Sequence, residues 1–219
     1  MVTKKTLTEA EALEQYRVSL DNVEIQPEIA TTMAEFGYDT TVVAEGKTLL
    51  TETRESYDFN ETEDDETSEA YAAFKLLKAS LLETYKMHRK KAKIIFRNDS
   101  KTMDKLAISG SLSGAYIKWL EVAKKFYSVA LKDAGIQAKL VRLKITLDDL
   151  TAADTLISDL EAARAEYLRE KGESQDATKA KDAAFAKMDD WMSEFYSVAK
   201  IALEDSPQLL ESLGKFVRS

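Results

Sequence analysis

A chain of 219 residues with one histidine and no cysteine has few ways to do chemistry. Without thiols there is no disulfide, no thiolate metal site and no cysteine nucleophile. His88 therefore limits every histidine-dependent mechanism. A di-iron carboxylate site in a helical bundle needs two Glu-x-x-His pairs on facing helices. Here Tyr85 stands three positions before His88, and no second histidine exists. A histidine-rich zinc site fails for the same reason. A Ser-His-Asp triad would have to recruit His88. The one segment resembling a nucleophile elbow, Gly110-Ser111-Leu112-Ser113-Gly114, carries Leu112 where the serine belongs and lacks the strand that must precede it. Its glycines are not followed by Gly-Lys-Ser/Thr, so it is no phosphate-binding loop. His88 itself falls on an apolar helical stripe, where the ring packs and one nitrogen bonds a neighbour. Burial there lowers its pKa by penalising the imidazolium. A proton carrier or a ligand contact is the alternative role.

Two charged runs invite functional readings. Lys86, Arg89, Lys90, Lys91, Lys93 and Arg97 crowd the end of a helix between Tyr85 and Phe96. Such a patch suits nucleic acid or an acidic lipid surface, but cations also favour the last turns of any helix. With a net charge of −8 working against nonspecific nucleic-acid binding, no nucleic-acid partner is expected. Lys90 and Lys91 stay as candidate contacts. The acidic run Glu61 to Glu66 shares only composition with a calcium loop, because the alternating carboxylates, the central glycine and the glutamate at position twelve are missing. It reads as part of a solvated loop or frayed helix start over Asn60–Glu69.

Aromatic residues gather as Phe36 with Tyr38, Trp119 with Phe126 and Tyr127, and Trp191 with Phe195 and Tyr196. Adjacent aromatics cannot share one narrow stripe, so one of each pair is expected at the margin of the core, against a neighbouring helix or a cavity. Trp119, Trp191 and Phe195 are the candidate lining of any apolar ligand cavity.

Helices must position all of these. Strong helix formers dominate, and glycine (7) and proline (2) are scarce. Thr6 with Glu9 suggests a capping box opening a first helix to about Leu20. Pro27 opens a short second helix, ended by Gly37, and Asp39 caps a third to about Tyr57. A long helix follows over 68–97, with the stripe Phe74, Leu77, Leu81, Tyr85, His88, Ala92, Ile95 at spacings of three and four. Asn98-Asp99-Ser100 stops it, and a short helix carries Met103 and Leu106. Ser109–Gly114 reads as a linker. Helices are then expected over 116–132 and 136–143, from the Thr146/Asp149 box to Lys171 before Gly172, and from Ser174 along the stripe through Met188, Trp191 and Phe195. A last short helix starts at Ser206-Pro207 and closes at Gly214.

The order repeats. A shift of 107 positions lays Ile29 on Ile136, Met33 on Leu140, Tyr38 on Ile145, Val43 on Leu150, Leu81 on Met188 and Leu106 on Leu213. It also lays His88 on Phe195. The framework repeats while the polar groups do not, so the chain reads as a duplicated helical unit, 1–110 and 111–219. The expected fold is all-α: internally duplicated helical hairpins forming a four-helix-bundle-like core with short capping helices. Two smaller consecutive bundles are the competing arrangement.

The stretch Ile201-Ala202-Leu203-Glu204-Asp205-Ser206-Pro207-Gln208-Leu209-Leu210-Glu211-Ser212-Leu213-Gly214 resembles one in bacterial all-helical proteins of about this length, most closely over 175–214. The resemblance implies an all-α fold and a bacterial origin, and brings no catalytic residues.

No apolar run reaches the roughly 20 residues needed to cross a bilayer, and Met1–Lys5 leads into helical sequence without an apolar leader. A soluble, cytoplasmic, non-enzymatic protein without cofactor or metal is expected, acting by binding a protein partner or copies of itself. Binding an apolar small molecule is the alternative; an enzyme using only tyrosine, lysine and carboxylates is the weakest reading. Because the second unit carries Phe195 at the matching place, His88→Phe is expected to keep the fold at little cost; a loss of several kcal/mol in an unfolding titration would instead reveal a buried polar network.

Overall fold

A computed structural model describes residues 7–214, and every regular element among them is helical. In chain order these are α1 (Glu9–Ile25), α2 (Pro27–Glu35), α3 (Thr40–Ile95), α4 (Ser100–Lys105), α5 (Tyr116–Lys132), α6 (Ala134–Leu140) with a single 3-10 turn at Val141–Leu143, α7 (Leu147–Ala202) and α8 (Pro207–Ser212). The all-α expectation therefore holds. None of the described helices is long and apolar enough to cross a membrane. Thr6 and the Met1–Lys5 stretch lie outside the described residues. The box that opens α1 is Thr8 with Glu11: the Thr8 hydroxyl accepts from the Glu11 amide at 3.2 Å while the Glu11 carboxylate accepts from the Thr8 amide at 2.8 Å. α1 also runs one turn past Leu20.

The largest departure from the sequence reading lies in the two hairpins, which do not exist. Asn60–Glu69 is helical, and α3 is one continuous helix of 56 residues. The acidic run holds neither glycine nor proline, and its polar side chains find partners that a helix supplies. Tyr57 donates to the Glu61 carboxylate at 2.9 Å, the Thr62 hydroxyl to the Asp58 carbonyl at 3.1 Å, and buried Asn60 to the Thr178 hydroxyl at 3.2 Å. α7 is likewise unbroken over 56 residues. Gly172 ends nothing, and Ser174 caps nothing; its hydroxyl donates to Asp64 at 2.6 Å instead. The Thr146/Asp149 box does open α7, as its reciprocal bonds of 2.8 and 3.1 Å show.

The elements keep the 107-position spacing throughout. α1 and α5 have 17 residues each, α3 and α7 have 56, and α4 and α8 have 6, with first residues at Glu9 and Tyr116, Thr40 and Leu147, Ser100 and Pro207. Left-handed backbone recurs too. Gly37 and Lys144 have φ of 89° and 56°, Gly214 and Ala107 of 74° and 53°. Each lets the chain fold back past a helix end, with Tyr38 donating to the Met33 carbonyl and Ile145 to the Leu140 carbonyl.

Compactness divides the chain differently from the repeat. One compact unit joins the described residues up to Asp64 with those from Glu173 onward; the other is Asp65–Gly172. Each is built from both halves of the sequence, because α3 and α7 each contribute one end to either unit. The first unit buries Leu20, Ile29, Met33 and Val43 with Met188, Met192, Phe195 and Leu213. The second buries Leu81, Tyr85 and Phe96 with Trp119, Phe126, Tyr127, Leu140 and Leu150. Each core thus gathers three long helical segments and two short helices around side chains removed from water, the main favourable term in folding.

Two glycines inside the long helices test this architecture in opposite directions. A Cβ at Gly172 would meet nothing within 4 Å, so Gly172→Ala should raise stability by about 0.5–1 kcal/mol in denaturant unfolding; a break at Gly172 would give a loss. A Cβ at Gly46 would collide with the Trp191 ring, so Gly46→Ala should cost about 1–3 kcal/mol despite its better helix propensity.

Candidate functional site

The residues singled out from sequence do not converge. Trp119 lies in the core of the Asp65–Gly172 unit at 1% exposure, while Trp191 and Phe195 stack 5.6 Å apart in the other unit. Tyr38 packs edge-on against both of the latter rings at 5.6 and 5.5 Å, and burial raises its hydroxyl pKa to about 12. These contacts fill a core. Nor do adjacent aromatics split between core and margin as expected: Phe126 and Tyr127 are both fully buried, because α5 is covered on a broad face running from Trp119 through Ala123 to Ala130.

His88 is buried at 7% exposure, and its Nδ1 lies 3.1 Å from the Tyr127 hydroxyl, with the two rings edge to face. Burial pushes the histidine pKa down and the Tyr127 pKa up. The basic cluster is largely occupied. Arg89 donates to the Ser109 and Gly110 carbonyls at 3.2 and 3.0 Å, Lys93 to the Gly110 carbonyl at 2.7 Å, and Lys91 to the Lys144 carbonyl at 3.4 Å. These cations tie helix α3 to loops of its own unit, and Lys90 is left exposed.

The site that does stand out was not expected. Within the Asp65–Gly172 unit, a cleft of about 530 Å³ opens between α3, the start of α5 and α7. Phe74 forms one wall, with Tyr116 edge-on at 5.5 Å and Tyr167 stacked at 6.1 Å. Tyr71 extends the aromatic surface, 5.1 Å from Tyr167. Ile117 and Leu168, half exposed, form an apolar lip. Two cations sit on the rings: the Arg164 guanidinium 4.6 Å from the Tyr116 centroid, and the Lys78 ammonium 5.6 Å from Tyr116 and 6.0 Å from Phe74. The lining contains no carboxylate. The nearest acidic pair, Glu121 and Glu161, bounds an adjoining hollow and faces Lys124, at 4.0 and 2.9 Å.

The 107-position shift shows what replaces this cleft in the other unit. Phe74 and Tyr116 become Lys181 and Glu9, an ion pair at 2.7 Å that holds the lysine pKa above its ordinary range. Tyr71 and Tyr167 become Thr178 and Asn60, joined by a hydrogen bond; Lys78 and Arg164 become Phe185 and Tyr57, edge to face at 6.4 Å. The same contacts are made by different chemistry. Listing the polar-to-aromatic exchanges at 107-position spacing would reveal it from the sequence.

Comparison with protein-family models, curated proteins and solved structures finds no match to this chain.

The His88 geometry gives a prediction that differs from the one drawn from sequence. Tyr127 is fully buried, and the histidine is the one hydrogen-bond partner of its hydroxyl among the described residues. His88→Phe should therefore cost about 1–3 kcal/mol, and adding Tyr127→Phe should recover much of it. The folded pKa lies below the ordinary 6.5, so the unfolded chain binds more protons and stability falls as pH drops below that value. Unfolding titrations across this range should show the fall in the natural chain and a flatter profile in the double variant.

Proposed function

We propose that this is a binding protein rather than an enzyme, built by duplication of one helical unit, and that the aromatic cleft of the Asp65–Gly172 unit takes up a small molecule with a flat apolar body. One observation carries the reading: at the same repeat position, one unit seals its surface with the Glu9–Lys181 pair and the other replaces both ends with Tyr116 and Phe74 around open space. The volume lies in the range of ordinary ligand sites, and aromatic walls with a few polar groups are their common lining. The matched lengths and spacing of the helices support the duplication, and α3 and α7 each contribute to both compact units.

The cleft lining offers cations, aromatic rings and aliphatic side chains. It supplies surface and charge for holding a ligand and no paired acid and base for turning one over. Partner binding or self-association draws its sequence support from abundant amphipathic helix. The principal stripes are consumed inside the two cores, which leaves the cleft as the stronger support.

The test is a fluorescence titration with the neutral arylamine N-phenyl-1-naphthylamine. Saturable uptake at one site per chain is expected. The double variant Phe74→Lys, Tyr116→Glu, which copies the sealed unit, should abolish it while helical circular dichroism stays unchanged. No uptake by the natural chain, or undiminished uptake by the variant, rejects the reading.

A further inference from the structure

The cleft is electrostatically one-sided, and we infer that its ligand carries an oxyanion, a carboxylate, phosphate or sulfonate group, on the flat apolar body. This inference rests on the cleft being a binding site and specifies the chemistry of its occupant. Lys78, Lys118 and Arg164 all line the space, and among the described residues none forms an ion pair; Lys78 and Arg164 instead lie over the aromatic rings. No carboxylate lines the cleft itself, while Glu121 and Glu161 bound the adjoining hollow that Arg164 also lines, so the cleft proper presents like charges that an anion would offset. Hydrogen bonds from such cations to an oxyanion are short and strong. The Tyr116 hydroxyl is shielded from solvent and has no hydrogen-bond partner among the described residues.

The start of α5 adds to this field. In α1 the first turn is satisfied from within: Thr8 caps it, and Glu9 and Glu11 set negative charge against the positive end of the helix. At the matching positions α5 carries Ala115, Tyr116 and Lys118. The cap is gone, no acidic residue stands in the first turn, and one carboxylate has become an ammonium. The backbone at Thr8 and Ala115 is alike, with φ of −70° and −73°, so a cap could form there and the side chain for it is absent. The same residues that open the cleft also leave the helix end positive, as anion-binding helix ends are. An anion seated against Lys118 would place the apolar remainder of the molecule along Phe74 and Tyr116.

The experiment compares two dyes of similar aromatic body on the full chain: 8-anilinonaphthalene-1-sulfonate, which is anionic, and N-phenyl-1-naphthylamine, which is neutral. The sulfonate should bind at least tenfold more tightly, and more weakly as salt is raised. The variant Ala115→Thr, Lys118→Glu rebuilds the α1 cap; it should lower sulfonate affinity at least tenfold, and lower it more than the affinity for the neutral dye. Circular dichroism checks that it remains helical, and Lys118→Gln gives a milder variant expected to move in the same direction. Equal affinity for the two dyes, or a sulfonate affinity that neither variant alters, overturns the oxyanion while leaving the cleft as a neutral site. Failure of both dyes to bind overturns the inference together with the reading it rests on.

Discussion

Every part of the molecule depends on the apolar stripe shared out along α3 and α7. The beginning of α3 sends Val43 into one core and its end sends Leu81, Tyr85 and Ala92 into the other; α7 does the reverse, with Leu150 and Ile157 in the second core and Met188, Phe195 and Ala199 in the first. A helix buried at both ends cannot end in the middle without stranding one of its faces. This is why a run as polar as Asn60–Glu69 stays helical. Tertiary packing on either side overrides a stretch whose own composition is neutral, and its side chains settle into local hydrogen bonds that hold it in line.

The two cores meet the same geometric demand with different chemistry. At the chain reversal near α2 and α6, Gly37 takes the left-handed backbone freely, whereas Lys144 takes it with a side chain attached; at the reversals after α4 and α8 the roles are Ala107 and Gly214. In the interior, Phe195 packs where His88 and Tyr127 need a hydrogen bond. Close approach also differs: the Trp191 ring lies where Gly46 lacks a side chain, while Ala153, at the repeat position of Gly46, is itself buried. Helix starts and most lengths recur at the 107-position spacing, while the side chains that fill the two cores differ.

Much of this was readable in the residues. The helix starts at Asp39, Thr146 and Pro207, the 116–132 helix and the linker at Ser109–Gly114 all follow from caps, periodicity and turn chemistry acting over a few positions. The repeat spacing was readable as well, because apolar framework positions are constrained by packing. What failed were inferences in which a local signal competes with a distant partner. Gly172 and the acidic run look like breaks until the covering segments are known, and the swap of segments between halves has no local signature at all. The cleft escaped notice for a related reason. Phe74 lies on a stripe that elsewhere means core, and Tyr116 sits next to a glycine-rich linker; only their meeting across three helices makes a wall.

The exchange of helix ends between the halves also governs how the chain is assembled as it is made. α1 and α2 precede in the chain much of the surface that covers Leu20, Ile29 and Met33, because Met188, Met192, Phe195 and Leu213 of that core come after Glu173. The Asp65–Gly172 unit draws its core from a contiguous stretch and can close earlier. Contacts of such long sequence separation form slowly and late, so α1 and α2 keep a bare apolar face until the residues from Glu173 onward have been made. During that interval the chain is open to holding factors and to pairing with a neighbouring copy, and the later part of α7 with α8 ends that exposure.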